Sequence, residues 1–170
     1  MPDGSLKLRG RVRAVLGDNI DTDMIYPGRY LNITDREKTA EHLFELALPE
    51  LRASLEAGDI IVAGRNFGCG SSREQAAAAL KFAGVGAVIA GSFARIFYRN
   101  AVNLGLPAVV APLASLAGAA GDELEIDLVA GEIRNLTGGR VVEAAALDPR
   151  AVELIAAGGL IPYLKRKYAA

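Results

Sequence analysis

Asp59-Ile60-Ile61-Val62-Ala63, then Gly64-Arg65-Asn66-Phe67-Gly68-Cys69-Gly70, then Ser71-Ser72-Arg73-Glu74 is the stretch that decides the fold. The apolar run at 59–63 reads as a strand buried on both faces of a parallel sheet. The glycine-rich segment is a turn. Ser71-Ser72-Arg73-Glu74 fits a capping box, with Ser71 as N-cap and Glu74 three residues on. Ala76–Phe82 continues a helix that Gly84 can end. Outward from here, Val85–Ala90 is a second strand. Ser92 caps a helix to about Asn103, and Leu106–Val110 is a third strand. Residues 59–110 thus read strand–helix–strand–helix–strand, with parallel neighbours and right-handed crossovers.

Upstream, residues 7–16 alternate and read as a strand ended by Gly17-Asp18-Asn19. Asp18-Asn19-Ile20-Asp21-Thr22-Asp23 is unusually acidic, and a loop over residues 24–33 follows. Thr34-Asp35-Arg36-Glu37 fits a second capping box. Behind it Ala40, Leu43, Phe44 and Ala47 recur at helical spacing, so a helix is expected over 35–47 and a short helical turn over 49–57. Downstream, Glu123–Val129, Ile133–Leu136 and Arg140–Ala144 read as an antiparallel meander. Asp148-Pro149 starts a helix to about Ala157. Ala117–Gly121 reads as a mobile connector and Lys165-Arg166-Lys167 as part of a solvated tail. The expectation is one α/β domain over 1–170, with short tails at 1–6 and 164–170.

Composition narrows the function. The chain has 170 residues, 51% hydrophobic and 23% charged, with formal net charge −1. That composition suits a globular core. The balance of charge argues against nucleic acid and a membrane surface as partners. No run of 18 apolar residues is present, and Met1–Ser5 lacks the apolar run of a signal peptide. With Cys69 alone, no intrachain disulfide can form, and a reducing compartment, the cytoplasm, is expected. One thiol makes neither a structural zinc site nor an iron–sulfur site.

The chemistry concentrates where the first buried strand meets its helix. Unpaired backbone N–H groups and a positive helix dipole gather there. Glycines let a ligand approach, two hydroxyls add donors, and Arg73 suits a carboxylate or phosphate. The product is either an anion site or simply a well-capped helix. The loop has neither P-loop spacing nor a Gly-x-Ser-x-Gly elbow. Cys69 as a nucleophile would want a histidine, and the single one, His42, reads as a solvent-facing helix residue. Asp18, Asp21 and Asp23 could meet a metal, but turn and cap chemistry explains them more simply. No complete catalytic set results; a half-site that needs a partner has this appearance.

Gly17–Asp23, Asn66–Glu74, Ser92-Phe93-Ala94-Arg95-Ile96-Phe97-Tyr98-Arg99-Asn100 and Gly105-Leu106-Pro107 strongly resemble the small subunits of 3-isopropylmalate dehydratase. These form the swivel-domain branch of the aconitase superfamily. The resemblance spans residues 10–165. It implies a three-layer β/β/α swivelling domain with a mixed, barrel-like sheet. It also implies a separate large subunit carrying a 4Fe–4S cluster, in a heterodimer or heterotetramer, with no metal or cofactor bound by this chain. The reaction implied is dehydration and rehydration of a small hydroxy-dicarboxylic acid, between 2- and 3-isopropylmalate in leucine biosynthesis.

By resemblance Ser71 is the base. Ser72 and Arg73, with Thr22, bind substrate carboxylate, and Asp23 orients a histidine of the large subunit. Arg95 is expected to tie the serine loop down, and Gln75 stands where many relatives have His. The specificity loop is Tyr30-Leu31-Asn32-Ile33. It lacks the arginine that follows the Tyr-Leu pair in homoaconitase small subunits, which favours an apolar substrate branch, although Arg29 precedes the pair. The alternatives are a homoaconitase or dimethylmalate-type dehydratase subunit, and a non-catalytic anion-binding domain.

Overall fold

The computed structural model describes residues 5–112, 114 and 117–169. Its centre is a mixed sheet of seven strands in the order β4-β3-β2-β1-β5-β6-β7. β1 (Lys7–Val15), β2 (Ile60–Ala63), β3 (Ala87–Ala90) and β4 (Ala108–Val110) are parallel neighbours. β5 (Glu123–Asp127), β6 (Glu132–Asn135) and β7 (Val141–Glu143) form the antiparallel meander. β1 belongs to both halves. Lys7–Arg11 pairs antiparallel with β5, and after a bulge near Val12 the strand runs parallel to β2. A bulge bends a strand and increases its twist.

Alternation along the central strands makes two cores. Ile61, Ala63, Val88 and Ala90 face one cluster; Val12, Ile60, Val62 and Ile89 face another. The second cluster also holds Leu124, Ile126, Ile133 and Val142 of the meander, so the sheet curls back over its own parallel half. The helices α1 (Thr22–Ile25), α3 (Pro49–Ser54), α4 (Glu74–Phe82) and α5 (Arg95–Asn103) contribute to the first cluster, and α2 (Arg36–Glu41) packs on α4. The result is the expected helix, parallel-sheet, meander layering. In α4 the run Ala76-Ala77-Ala78-Ala79 is buried, and these small side chains let the helix sit close between α2 and α5. Asp59, 3% exposed, enters β2 with its carboxylate on Arg13 Nε at 2.7 Å.

Several elements differ from expectation for identifiable reasons. α2 ends at Glu41 rather than near 47. Phe44 adopts φ 54 and donates its amide to Ile25 O, so a tertiary hydrogen bond replaces a helical one. Asp35, not Thr34, caps that helix. His42 is not solvent-facing: its ring stacks on Tyr30 at 3.6 Å between centroids. α3 (Pro49–Ser54) supplies the short turn, and α6 (Pro149–Ala157) starts on the Asp148 cap as expected.

Most of the expected tail from 164 is a further helix, α7 (Leu160–Tyr168). Gly158 at φ 87 ends α6, and Gly159 at φ 122 redirects the chain. Pro162 in the first turn of α7 forfeits no helical hydrogen bond. Ala117–Gly121 is tied down, with Ala117 buried and the Gly121 amide on Val12 O. Of the expected N-terminal tail, residues 1–4 lie outside the described residues, and Leu6 O already accepts the Leu128 amide.

Candidate active site

Three loops meet beyond the carboxyl ends of β1, β2 and β3, where open parallel sheets bind ligands. They are stitched by backbone. Asn19 N donates to Arg65 O, Gly68 N to Ile20 O at 2.7 Å, and Thr22 N to Cys69 O at 2.8 Å. Asp18 accepts the Arg65 amide at 2.7 Å, and Asp21 caps α1 through the Met24 amide at 2.7 Å. These two carboxylates therefore do turn and cap work. Among the described residues no group of three His, Cys, Asp or Glu side chains could hold a metal ion.

The serine loop needs unusual backbone. Asn66 sits at φ 62, with its amide on Ser92 Oγ at 2.8 Å and its side chain on Asn19 Oδ1 at 2.9 Å. Ser92 is thus spent on the loop and does not cap α5, whose N-cap is Ala94. Gly68 at φ 79 lies so close to Phe97 that a Cβ would fall 2.2 Å from Phe97 Cγ. Ser71 and Ser72 follow, both exposed. Ser71 does not cap α4. The helix begins at Glu74 with Arg73 as an N-cap that makes no side-chain bond. The loop is pulled instead towards α1, where Thr22 Oγ1 donates to Ser71 O at 3.1 Å. Thr22 is 3% exposed.

Arg73 turns the other way. Its Nη1 lies 2.7 Å from Asp23 Oδ1, and Gly28 N donates to that same oxygen at 3.0 Å. The guanidinium and the amide hold the Asp23 carboxyl below its usual range. Beyond Gly28 the chain makes a 3-10 turn to Tyr30. Tyr26 donates its hydroxyl to Tyr30 O at 2.9 Å, and Gln75 Nε2 donates to Leu31 O at 3.3 Å. The Tyr30 hydroxyl and His42 hold Glu45 below the usual carboxylate range. Tyr30 is therefore an anchor, while Leu31 and Asn32 are exposed and Ile33 half-buried.

A cavity of about 210 Å³ opens between these elements. Thr22, Ser71, Ser72 and Arg73 line it together with Arg95, Ile96 and Phe97. The structure thus joins four of the residues expected from the sequence, with Asp23 bonded to one of them. Tyr30–Ile33 does not line this cavity; it connects through Gly28 and Gln75. The α5 residues are the addition. Arg95 does not tie down the serine loop, because its side chain has no partner among the described residues. Its signal was visible, since Ser92–Asn100 is a recognisable motif at a helix start, but its inward face was not. The N-termini of α1, α2 and α6 are capped by Asp21, Asp35 and Asp148. α4 and α5 border the cavity and lack side-chain caps, leaving first-turn N–H donors for an anion. α3 and α7 also lack caps but lie elsewhere. A larger depression of about 660 Å³ beside Gly118, Asn135 and Arg140 contains none of these hydroxyls.

Residues 4–112 match the family described as the aconitase C-terminal domain. A 3-isopropylmalate dehydratase small subunit of Moorella thermoacetica is 56% identical over 151 residues, 89% of this chain and 91% of that one. The chain belongs to the 3-isopropylmalate dehydratase small-subunit family. Similarity extends to a methanogen homoaconitase small subunit of Methanothermobacter thermautotrophicus, 54% identical over 93% of this chain and 91% of that one. It extends also to an isopropylmalate/citramalate isomerase small subunit of Methanocaldococcus jannaschii, 51% identical over 95% and 96%. A crystal structure described as 3-isopropylmalate dehydratase, from the same Methanocaldococcus, superposes with TM-score 0.87 at 43% identity, covering 96% of each chain. In this small-subunit family the aconitase swivel fold is the one described above. No helix among the described residues is long and apolar enough to cross a membrane.

Proposed function

We propose that this chain is the catalytic small subunit of a cytoplasmic hydro-lyase that interconverts 2- and 3-isopropylmalate in leucine biosynthesis. One observation carries the proposal. Two serine hydroxyls without partners among the described residues share a cavity with two arginines and two uncapped helix N-termini. That is a site built for an anion and a proton acceptor together.

The reaction removes a proton from a carbon beside a carboxylate and a hydroxyl from the adjacent carbon. Ser71 is the base. A serine hydroxyl titrates far above neutral, so its alkoxide needs positive surroundings, which Arg73, Arg95 and the helix ends supply. Thr22 lines the same cavity and positions Ser71 by donating to the Ser71 carbonyl. Ser72 and Arg73 bind a substrate carboxylate, whose charge stabilisation offsets the weak acidity of the carbon. Asp23 holds Arg73 and faces outward, 69% exposed, towards a histidine of the large subunit.

This chain's residues do not fit a 4Fe–4S cluster, because it has one thiol and no metal-holding group among the described residues. The cluster is assigned to the large subunit in a heteromeric enzyme. An apolar branch is supported by Ala94, Ile96 and Phe97 in the cavity wall. Arg29 lies over the Tyr30 ring, 5.4 Å from its centroid. A pocket distinguishes a methyl from an isopropyl branch by only about 1–3 kcal/mol, and relatives bear both isopropylmalate and homoaconitase names.

The test is anaerobic assembly of this chain with its large subunit, assayed on 3-isopropylmalate, homoaconitate, dimethylmalate and citramalate in parallel. The proposal expects turnover of isopropylmalate, and only with both chains present. Preference for another acid would transfer the same mechanism to that substrate. No turnover from a stable complex with an intact cluster would leave an anion-binding domain.

A further inference from the structure

We infer that Arg95 is a second anchor for substrate carboxylate; this rests on the dehydratase reading above. The substrates in question carry two carboxylates. A guanidinium grips one of them well, through two parallel N–H donors. Arg73 is already engaged: Nη1 is 2.7 Å from Asp23 Oδ1, and its side chain is 19% exposed. The cavity also receives Arg95, from the first turn of α5. Among the described residues Arg95 has no ion pair and no side-chain hydrogen bond. No Asp or Glu lines the cavity. An exposed arginine usually costs a protein nothing, but this one stands where the α5 N-terminus already favours negative charge. Arg73 at the uncapped start of α4 and the unpaired Arg95 at the uncapped start of α5 together favour a bound anion in the cavity between them.

With Arg73 and Arg95 in the same cavity as Ser71, a dicarboxylate is held at two points. Its carbon chain is thereby fixed relative to the base. Two-point holding is what turns binding into orientation. Arg95 is a binding residue here, and the exposed Ile96 beside it presents apolar surface to the rest of the substrate.

The assay uses the assembled two-subunit enzyme with Arg95→Gln and Arg95→Lys. Inhibition constants are measured for a saturated substrate-like dicarboxylate and for each of its two monoamides. The inference expects KM to rise roughly 10- to 100-fold in Arg95→Gln, the range for loss of a charge-assisted contact, with kcat changed less. Arg95→Lys recovers part of the loss. Wild type prefers the diacid over both monoamides, and Arg95→Gln loses that preference for one of them only. An unchanged KM overturns the inference. So does a loss that follows weakened subunit assembly while both diacid preferences persist, which would make Arg95 a docking residue. Wild-type enzyme that turns over no hydroxy-dicarboxylate at all would instead remove the dehydratase reading beneath it.

Discussion

Asp23 and Arg73 form an ion pair that joins two loops: Arg73 Nη1 is 2.7 Å from Asp23 Oδ1, and the same carboxylate oxygen accepts the Gly28 amide. The serine loop is thereby tied to the segment that leads into Tyr30–Ile33. Arg73 also lies against Gly28, where an added Cβ would come 3.1 Å from Nη2. Removing the carboxylate frees the guanidinium and the Gly28 amide together. Asp23→Ala should lower kcat/KM of the assembled enzyme by about 10- to 100-fold, as for a lost charge-assisted contact. It should also shift the Gly28 amide resonance of the free subunit. A shift at Arg73 alone would mean that the two loops are not coupled.

The pH dependence follows from the same pair. Folding lowers the Asp23 carboxyl, first through Arg73 and then through the Gly28 amide. Asn135 and the Ala119 amide lower Asp122, and Arg9 lowers Glu125. A carboxyl depressed on folding adds stability above its unfolded value, about 4, and that stability is lost as pH falls through the folded value. Urea midpoints should therefore be flat from pH 7 to about 5 and decline below about 4. In Asp23→Asn the decline should be shallower. An acid decline of equal slope in that variant would remove Asp23 from the account.

Gly68 is fixed by space as well as by its backbone. Its φ is 79, and a Cβ would collide with the Phe97 ring. Gly68→Ala combines overpacking, about 1–3 kcal/mol, with left-handed strain, about 1–2 kcal/mol. At this chain length that lowers Tm by on the order of 10 °C in thermal unfolding. Gly121, at φ 96 with open space around it, should lose less on the same substitution.

The buried entry to β2 makes a separate prediction. Asp59 accepts both Arg13 Nε and the Glu56 amide, each at 2.7 Å. Asp59→Ala leaves both donors without that acceptor. It should cost about 3 kcal/mol in denaturant unfolding, with little effect on substrate KM.

The parallel half of the fold was legible because each strand from 59 to 110 is a short apolar run between turn signals. The β1 role was not. Its alternation announces a strand, but nothing local says that one strand pairs both ways across a bulge. Helix starts misled for one common reason. Ser71 and Ser92 have the right residue type for caps, but their backbone or hydroxyl is recruited by Thr22 and Asn66 across the loops. Phe44 ends α2 by a contact with Ile25, about twenty residues away, which no local pattern encodes. In the site, Ser71, Ser72, Arg73, Thr22 and Asp23 were legible as motif residues. What those motifs did not give is which way each side chain turns. Arg73 turns to Asp23, Thr22 to Ser71, and Arg95 into the cavity.

Whether Ser71 supplies the base is read from the dehydration rate of the assembled enzyme carrying Ser71→Ala. The cluster is verified spectroscopically, assembly by sedimentation, and Cys69→Ala runs alongside. Ser71→Ala should lower kcat by about 10²- to 10⁴-fold with KM little changed, the usual contribution of a positioned base. Cys69→Ala should stay within a few fold of wild type, since Cys69 serves Thr22 through its backbone carbonyl. A Ser71→Ala enzyme that keeps most of its rate, or a Cys69→Ala enzyme that loses it, would contradict the assignment.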